Sequence, residues 1–386
     1  MRMTKATEGR HDSADATAPG SEAELAALVA DSFRKKRKLH ICGGNTRSHA
    51  AVAADTVLTT RGIGGIVAYE PGELTLVARA GASVDEIEQL LAIEGQSLAF
   101  EPMDHRVLLA TEGTPTIGGM VGANVSGPRR IQAGACRDHL LGVRFVDGRG
   151  RIIKNGGRVM KNVTGMDLGK LLCGSHGTLG TLTEVALKTL PLAEAQKTLA
   201  LSGLSSREGV AVFSTALATP FEVSGAAFFD GTALLRLEGL PRQVEYRCER
   251  LKTLFRASEI DTLEDGKSRH LWRSLRDIRH FANRSDAVWR ILVKPTDAPS
   301  VVEALECLGG EASLDWGAAL IWYCGNADCS AVRAAVPAGV VTLARPGPGG
   351  TGAVCINEAP GTAALAASLR KVFDPAGIFN PGRMGS

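Results

Sequence analysis

The chain is poor in aromatics, at 5% of its 386 residues, which argues against a surface built for stacking sugars or bases. It has no strong charge of either sign. Its 44 Lys and Arg nearly cancel 41 Asp and Glu, so no global field selects nucleic acid or an anionic membrane. No apolar run reaches the 18 residues that a membrane-spanning helix needs. The polar stretch from Met1 to Gly20 lacks the apolar centre of an export signal and reads as a disordered lead-in. Eight cysteines occur without a CxxC pair, so the spacing offers no zinc or iron–sulfur pattern, and reduced thiols are expected. No metal ligand set, HExxH motif or Ser/His/Asp order stands out.

What the sequence does have is glycine, 45 residues against 16 prolines. Three clusters stand out: Cys42-Gly43-Gly44-Asn45-Thr46, the long run Thr114 to Gly127, and Gly174 to Thr181. Without a Cβ, successive backbone N–H groups can close on a diphosphate. One such cluster is as easily a tight turn, but three together point to an extended cofactor bearing a diphosphate. No GxxxxGK[ST] loop is present. The one GxGxxG match, Gly347 to Gly352, contains Pro348 and precedes a strand-like run, Ala353 to Ile356, where a dinucleotide fingerprint must open a helix.

Capping chemistry marks helix starts. Ser21 with Glu24, and Ser83 with Glu86, have the spacing of capping boxes before apolar stripes (Leu25, Leu28, Val29, Phe33; then Ile87, Leu90, Leu91). The run Arg34 to Lys38 places cations at a helix end. Short strands are expected at 39–42, 56–58 and 74–78. After Pro191 the pattern becomes strand, helix, strand: strands at 198–201, 222–229 and 233–237, helices from Ser206 and from Pro241. Two such units predict a compact antiparallel sheet with helices on one side. A last helix from Thr362, apolar at Leu365, Leu369, Val372 and Phe373, stops at Asp374-Pro375.

The three glycine clusters, in this order, resemble the FAD-binding fold of the p-cresol methylhydroxylase and vanillyl-alcohol oxidase superfamily. Met160 to Leu168 and Leu171 to Gly180 are similar to the glycolate oxidase D and E subunits. Ser126-Gly127-Pro128-Arg129-Arg130, the segment Trp272 to His280, Asp315-Trp316-Gly317 and the tail Phe373 to Met384 resemble the E-subunit family over residues 21–386. The resemblance implies an α+β fold: a two-subdomain FAD domain over 21–195, a smaller α/β cap over 196–345, and a segment, 346–386, that returns to the FAD domain.

It also implies an FAD-dependent oxidoreductase acting on a small 2-hydroxy acid such as glycolate. Its partners would be a D-type flavoprotein subunit and an iron–sulfur F-type subunit, with electrons passing to a membrane quinone. The chain would be cytoplasmic, reaching the membrane only through those partners. The cofactor-binding residues carried over are Gly43, Gly44, Asn45 and Thr46; Thr116, Ile117, Gly118, Gly119, Asn124, Ser126 and Gly127; and Gly177, Gly180, Thr181 and Asn380. The first loop has no histidine where some relatives attach FAD covalently, so FAD is expected to be held without a covalent bond. The D-subunit metal segment is absent.

Oxidation of a 2-hydroxy acid needs a base and a cation for the carboxylate. His280 is the candidate base, with Arg276 or Arg290 as the carboxylate ligand. A packed histidine and a solvated arginine face are the plainer readings of the same residues. Arg129 and Arg130 could instead neutralise the diphosphate, while His105 and His139 look structural. Two further roles stay open: an FAD-carrying subunit that only stabilises or relays electrons, and a stand-alone FAD-linked oxidase of another alcohol.

Overall fold

The computed structural model describes residues 16–47, 52–158, 165–348, 350 and 360–384. Most of the expected lead-in with His11, the Met160 to Thr164 part of the motif, Gly349, Gly352 and the expected strand at 353–356 lie outside the described residues.

The Ser21 hydroxyl accepts the Glu24 N–H at 3.2 Å and starts α1 (Glu22–Lys35). Only half of the expected box forms, because the Glu24 carboxylate takes the Gly20 N–H instead, at 2.9 Å. Leu25 and Val29 bury one face of α1, and Lys36 ends the helix in the left-handed region. The strands β1 (Leu39–Cys42) and β2 (Thr56–Thr59) then pair in parallel. Single bridges set Thr17 beside Leu58 and Phe379 beside Leu39, so the C-terminal segment returns to the first glycine loop.

Next come β3 (Ile66–Glu70), β4 (Thr75–Arg79), α2 (Val84–Ile93) and β5 (Gln96–Ser97). The expected strand at 74–78 starts one residue late, because Leu74 lies at φ 52°. Three short helices follow, α3 (His105–Leu109), α4 (Ile117–Gly122) and α5 (Arg130–Ala133). Then come β6 (Leu140–Val146), β7 (Ile152–Gly156), α6 (Leu168–Leu172), β8 (Thr181–Lys188) and β9 (Leu190–Pro191). Five of these strands form an antiparallel sheet in the order β3–β4–β8–β6–β7. Ile87 and Leu91 of α2 pack on it against Leu76, Phe145 and Val185.

From β10 (Ala195–Leu201) the chain builds a second sheet. Its first half adds α7 (Ser206–Leu217), β11 (Gly225–Phe229), β12 (Thr232–Gly239), α8 (Pro241–Leu254) and β13 (Ile260–Leu263). Helix α9 (Asp265–Arg276) links to the second half. That half comprises β14 (Ala287–Leu292), α10 (Ala298–Glu306), β15 (Glu311–Asp315), β16 (Leu320–Gly325), α11 (Cys329–Ala335) and β17 (Val340–Arg345). Each half is a β-α-β-β-α-β unit, and the sheet order β13–β10–β12–β11–β15–β16–β14–β17 joins them through their second strands.

Alternation along the strands divides the second sheet into two faces. Leu199, Leu235, Ile291 and Ile321 pack under α7, α8, α10 and α11. On the opposite face, Ala200 and Leu234 meet α9, while Val288 and Trp322 meet Met103, Met120 and Val125 of the first half of the chain. The sheet is therefore a lid with a dry underside.

The last helix, α12 (Pro360–Phe373), differs from expectation. Leu369 and Phe373 pack on the five-stranded sheet, but Leu365 and Val372 stay more than half exposed. Cys42, Cys136, Cys173, Cys248, Cys307 and Cys324 are free thiols, whereas Cys329 is disulfide-bonded.

Candidate active site

All three glycine clusters meet at one cleft of about 880 Å³, part of it open to solvent. The first two touch backbone to backbone. A Cβ on Gly44 would lie 1.6 Å from the Thr114 carbonyl oxygen, so only glycine permits the approach. The Thr59 hydroxyl donates to the Gly43 carbonyl at 2.9 Å, and the Thr116 hydroxyl caps α4 by accepting the Gly119 N–H. Gly122 has open space where a side chain would be. In the third cluster Gly177 stands at φ 73°, against the Asn380 amide.

Of the sequence-derived cofactor residues, Gly43, Gly44, Asn45, Thr46, Thr116, Gly118, Gly119, Gly177, Gly180 and Thr181 line the cleft. The other five shape it from behind. Ile117 is fully buried in the core. Asn124 accepts the Arg137 N–H at 3.1 Å and lies 3.5 Å from the Cys173 thiol. Ser126 accepts the Cys136 N–H at 3.0 Å, and the Gly127 carbonyl accepts from the Trp316 indole at 2.9 Å. Asn380 is a clip: its amide donates to the His176 carbonyl at 2.7 Å and accepts the Ile41 N–H at 2.7 Å. The tail thereby fixes the first loop against the third.

Two cleft cations were missed by sequence reasoning, Arg47 and Arg383. Neither forms an ion pair among the described residues, and the Arg47 Nε is buried without a partner. Burial, with Arg383 and Arg290 nearby, pulls Arg47 down to about 9. His176, at the cleft wall, is pushed down to about 3 by burial and by Arg47, Arg383 and Arg290, so its imidazole is neutral. No Asp or Glu lines the cleft among the described residues. The site is cationic and uncompensated, which suits an anionic ligand. The only sequence hint was position: Arg47 follows the first glycine loop, and Arg383 closes the tail.

An FAD diphosphate fits these features. The orphaned Arg47 Nε and the buried, unpartnered Thr181 hydroxyl both belong to the cleft lining, as does the unfilled space at Gly122. The alternative assignment of Arg129 and Arg130 to the diphosphate needs correction, because both are engaged elsewhere. Arg129 takes Glu101 through its N–H at 2.8 Å and Glu238 through its side chain at 3.4 Å. Arg130 lies over the Trp316 ring, 4.4 Å from its centre.

The three candidate catalytic residues are not gathered into one constellation. Arg276 is held in a two-pronged pair with Asp277, at 2.8 and 3.1 Å, and Asp277 also accepts the Asp104 N–H. The Asp277 carboxylate fastens the end of α9 to the first half of the chain. His280 Nε2 lies 3.0 Å from the Ser313 hydroxyl, its ring packs on Phe229 and Phe281, and burial pushes it down to about 4. Arg290 does not line the cleft, although its charge adds to the burial that depresses Arg47 and His176. His139, as expected, is structural, bonded to the Ala133 carbonyl at 2.8 Å.

Residues 16–156 match the FAD binding domain family. The chain is 34% identical to the glycolate oxidase subunit GlcE of Escherichia coli (strain K12), over 93% of this chain and 96% of that subunit. It is 28% identical to the glycolate oxidase subunit GlcD of Bacillus subtilis (strain 168), over 64% of this chain and 49% of that subunit. A solved structure of alkyldihydroxyacetonephosphate synthase superposes with a TM-score of 0.68 at 15% identity, covering 94% of this chain and 76% of the other.

Proposed function

The chain belongs to the family of the glycolate oxidase subunit GlcE, and from that premise we propose that it is the FAD-binding E subunit of a complex oxidising glycolate or a related 2-hydroxy acid. The observation that carries this reading is the cleft, where three glycine loops converge on cations that have no ion pair, and on no carboxylate, among the described residues. When bound, FAD supplies the acceptor for the two electrons and the hydrogen leaving the substrate carbon. Arg47 and Arg383 would neutralise the diphosphate, and the loop backbones would hold it without a covalent bond. Arg290 would meet the substrate carboxylate. His280, kept neutral by burial, is the base available to the hydroxyl proton. Arg276 has a structural part in this scheme, since Asp277 occupies its fork.

A D-type flavoprotein subunit and an iron–sulfur F-type subunit would complete the assembly and carry electrons to quinone. The chain would sit on the cytoplasmic side, at the membrane only through those partners; no described helix is long and apolar enough to cross it.

One observation favours a second reading, an FAD-carrying relay subunit. The imidazole at the cleft wall, His176, is a weak base among cations, and His280 does not line the cleft. Anaerobic mixing of the isolated chain with glycolate or D-lactate separates the two. Bleaching of the flavin absorbance establishes a substrate site in this chain. A yellow flavin that stays oxidised until partner subunits are added establishes a relay. A folded, colourless protein would refute both.

A further inference from the structure

Trp316 stands at φ 55°, followed by Gly317 at φ 63° and Ala318 at φ 76°. Three successive residues in the left-handed region are costly where two carry side chains, and such strain persists only where the surroundings enforce it. Here Asp315 Oδ1 accepts the Trp316 N–H at 2.6 Å, and the indole N–H donates to the Gly127 carbonyl at 2.9 Å. The ring is thus tied to the end of the second glycine cluster, although it belongs to the other sheet.

Arg130 lies on this ring at 4.4 Å, and Arg290 lies over it at 5.2 Å. The two guanidiniums repel, so Arg290 gains nothing from its charged neighbour. Among the described residues the Arg290 side chain forms no hydrogen bond or ion pair, and the indole face is a contact that can orient its guanidinium. That contact is of the order of 0.5–2 kcal/mol, a factor of roughly 2–30 in binding.

We propose that Trp316 is a positioning residue: its indole holds Arg290 toward the cleft for the substrate carboxylate and links that placement, through Gly127, to the second glycine cluster. The inference rests on reading Arg290 as the carboxylate ligand. It accounts for two motifs that FAD binding alone leaves idle, since Ser126 to Arg130 and Asp315 to Gly317 meet at this ring.

The test uses the assembled complex with glycolate, comparing Trp316→Phe, Trp316→Met, Arg290→Ala and the double variant Trp316→Met/Arg290→Ala. Phenylalanine keeps an aromatic face and loses the N–H; methionine keeps volume and loses the face. Expected is a KM raised about 10-fold by Trp316→Met, with kcat and flavin content unchanged and a smaller rise for Trp316→Phe. The double variant should match Arg290→Ala. Additive effects, an unchanged KM in Trp316→Met, or a loss of kcat or flavin with no change in KM would overturn the role of Trp316 alone. A normal KM in Arg290→Ala would overturn the carboxylate reading, and Trp316 with it. If Trp316→Met fails to assemble, Trp316→Phe decides: a KM raised less than in Arg290→Ala, with flavin retained, supports the ring-face role, and a KM as high as that of Arg290→Ala refutes it.

Discussion

Arg236, on the underside of the second sheet, grips Glu101 of the first half of the chain with both ends of its guanidinium, at 2.8 and 3.0 Å. Its side chain is 1% exposed, its ring neighbour is Trp272 at 4.7 Å, and Glu238 lies 3.4 Å away. Removing one partner of a buried pair strands the other charge, at about 3–5 kcal/mol. Arg236→Ala should therefore lower stability by that order in denaturant titration. Destabilisation under 1 kcal/mol would mean that the pair does not hold the sheet in place.

Gly119→Asp should leave the fold intact and abolish FAD binding, because a carboxylate would enter an anion site at the cleft wall. The added Cβ would meet one neighbour closely, the Thr116 hydroxyl at 3.2 Å, which must yield by a few tenths of an ångström. Flavin absorbance of the purified variant, beside its circular dichroism, is the measurement. A normal yellow variant would contradict the assignment of this loop.

Arg47→Ala and Arg383→Ala should each weaken FAD by about 10–100-fold, the equivalent of one charged hydrogen bond of roughly 1.5–3 kcal/mol. Both should raise the basicity of His176, which these guanidiniums depress. Flavin titration of apoprotein reads the first effect, and imidazole NMR reads the second. Unaltered FAD affinity in both variants would place the diphosphate elsewhere.

Asp315 gives a pH signature. Burial raises its carboxyl to about 7 from the usual 3.8. A carboxyl raised on folding stabilises the protein fully below its unfolded value and loses that contribution as pH climbs through the folded value. Between pH 4 and 7, wild-type stability relative to Asp315→Asn should fall, and above that window the difference should be flat. A difference independent of pH would show that Asp315 is ionised throughout.

Local chemistry was legible where it depends on neighbours in sequence. Ser21, Ser83 and the helix from Ser206 begin as their capping residues dictate, and Val244, Cys248 and Leu251 bury the face that their spacing predicts. The glycine loops announced a diphosphate because backbone approach leaves its trace in composition. Residues whose meaning is set by distant partners were not legible in this way. Nothing near Arg129 says that Glu101 and Glu238 will claim it, whereas Arg276 forks onto Asp277, its own neighbour in sequence. Arg47 and Arg383 are 336 positions apart in sequence numbering yet share a cleft. Asn380 was recognised as a site residue, but its work as a clip needs the fold to be seen.

The lid is stitched unevenly. Within each half the strands are laced over several residues, seven aligned pairs between β10 and β12 and six between β14 and β16, whereas β11 meets β15 at the single pair Phe228 and Leu314. A sheet under load parts along its sparsest row of hydrogen bonds, so any parting of this one is expected along this row. Arg236 lies on one leaf and Arg290 on the other. Leaning one leaf would move Arg290 while Arg236 kept the other leaf anchored to Glu101.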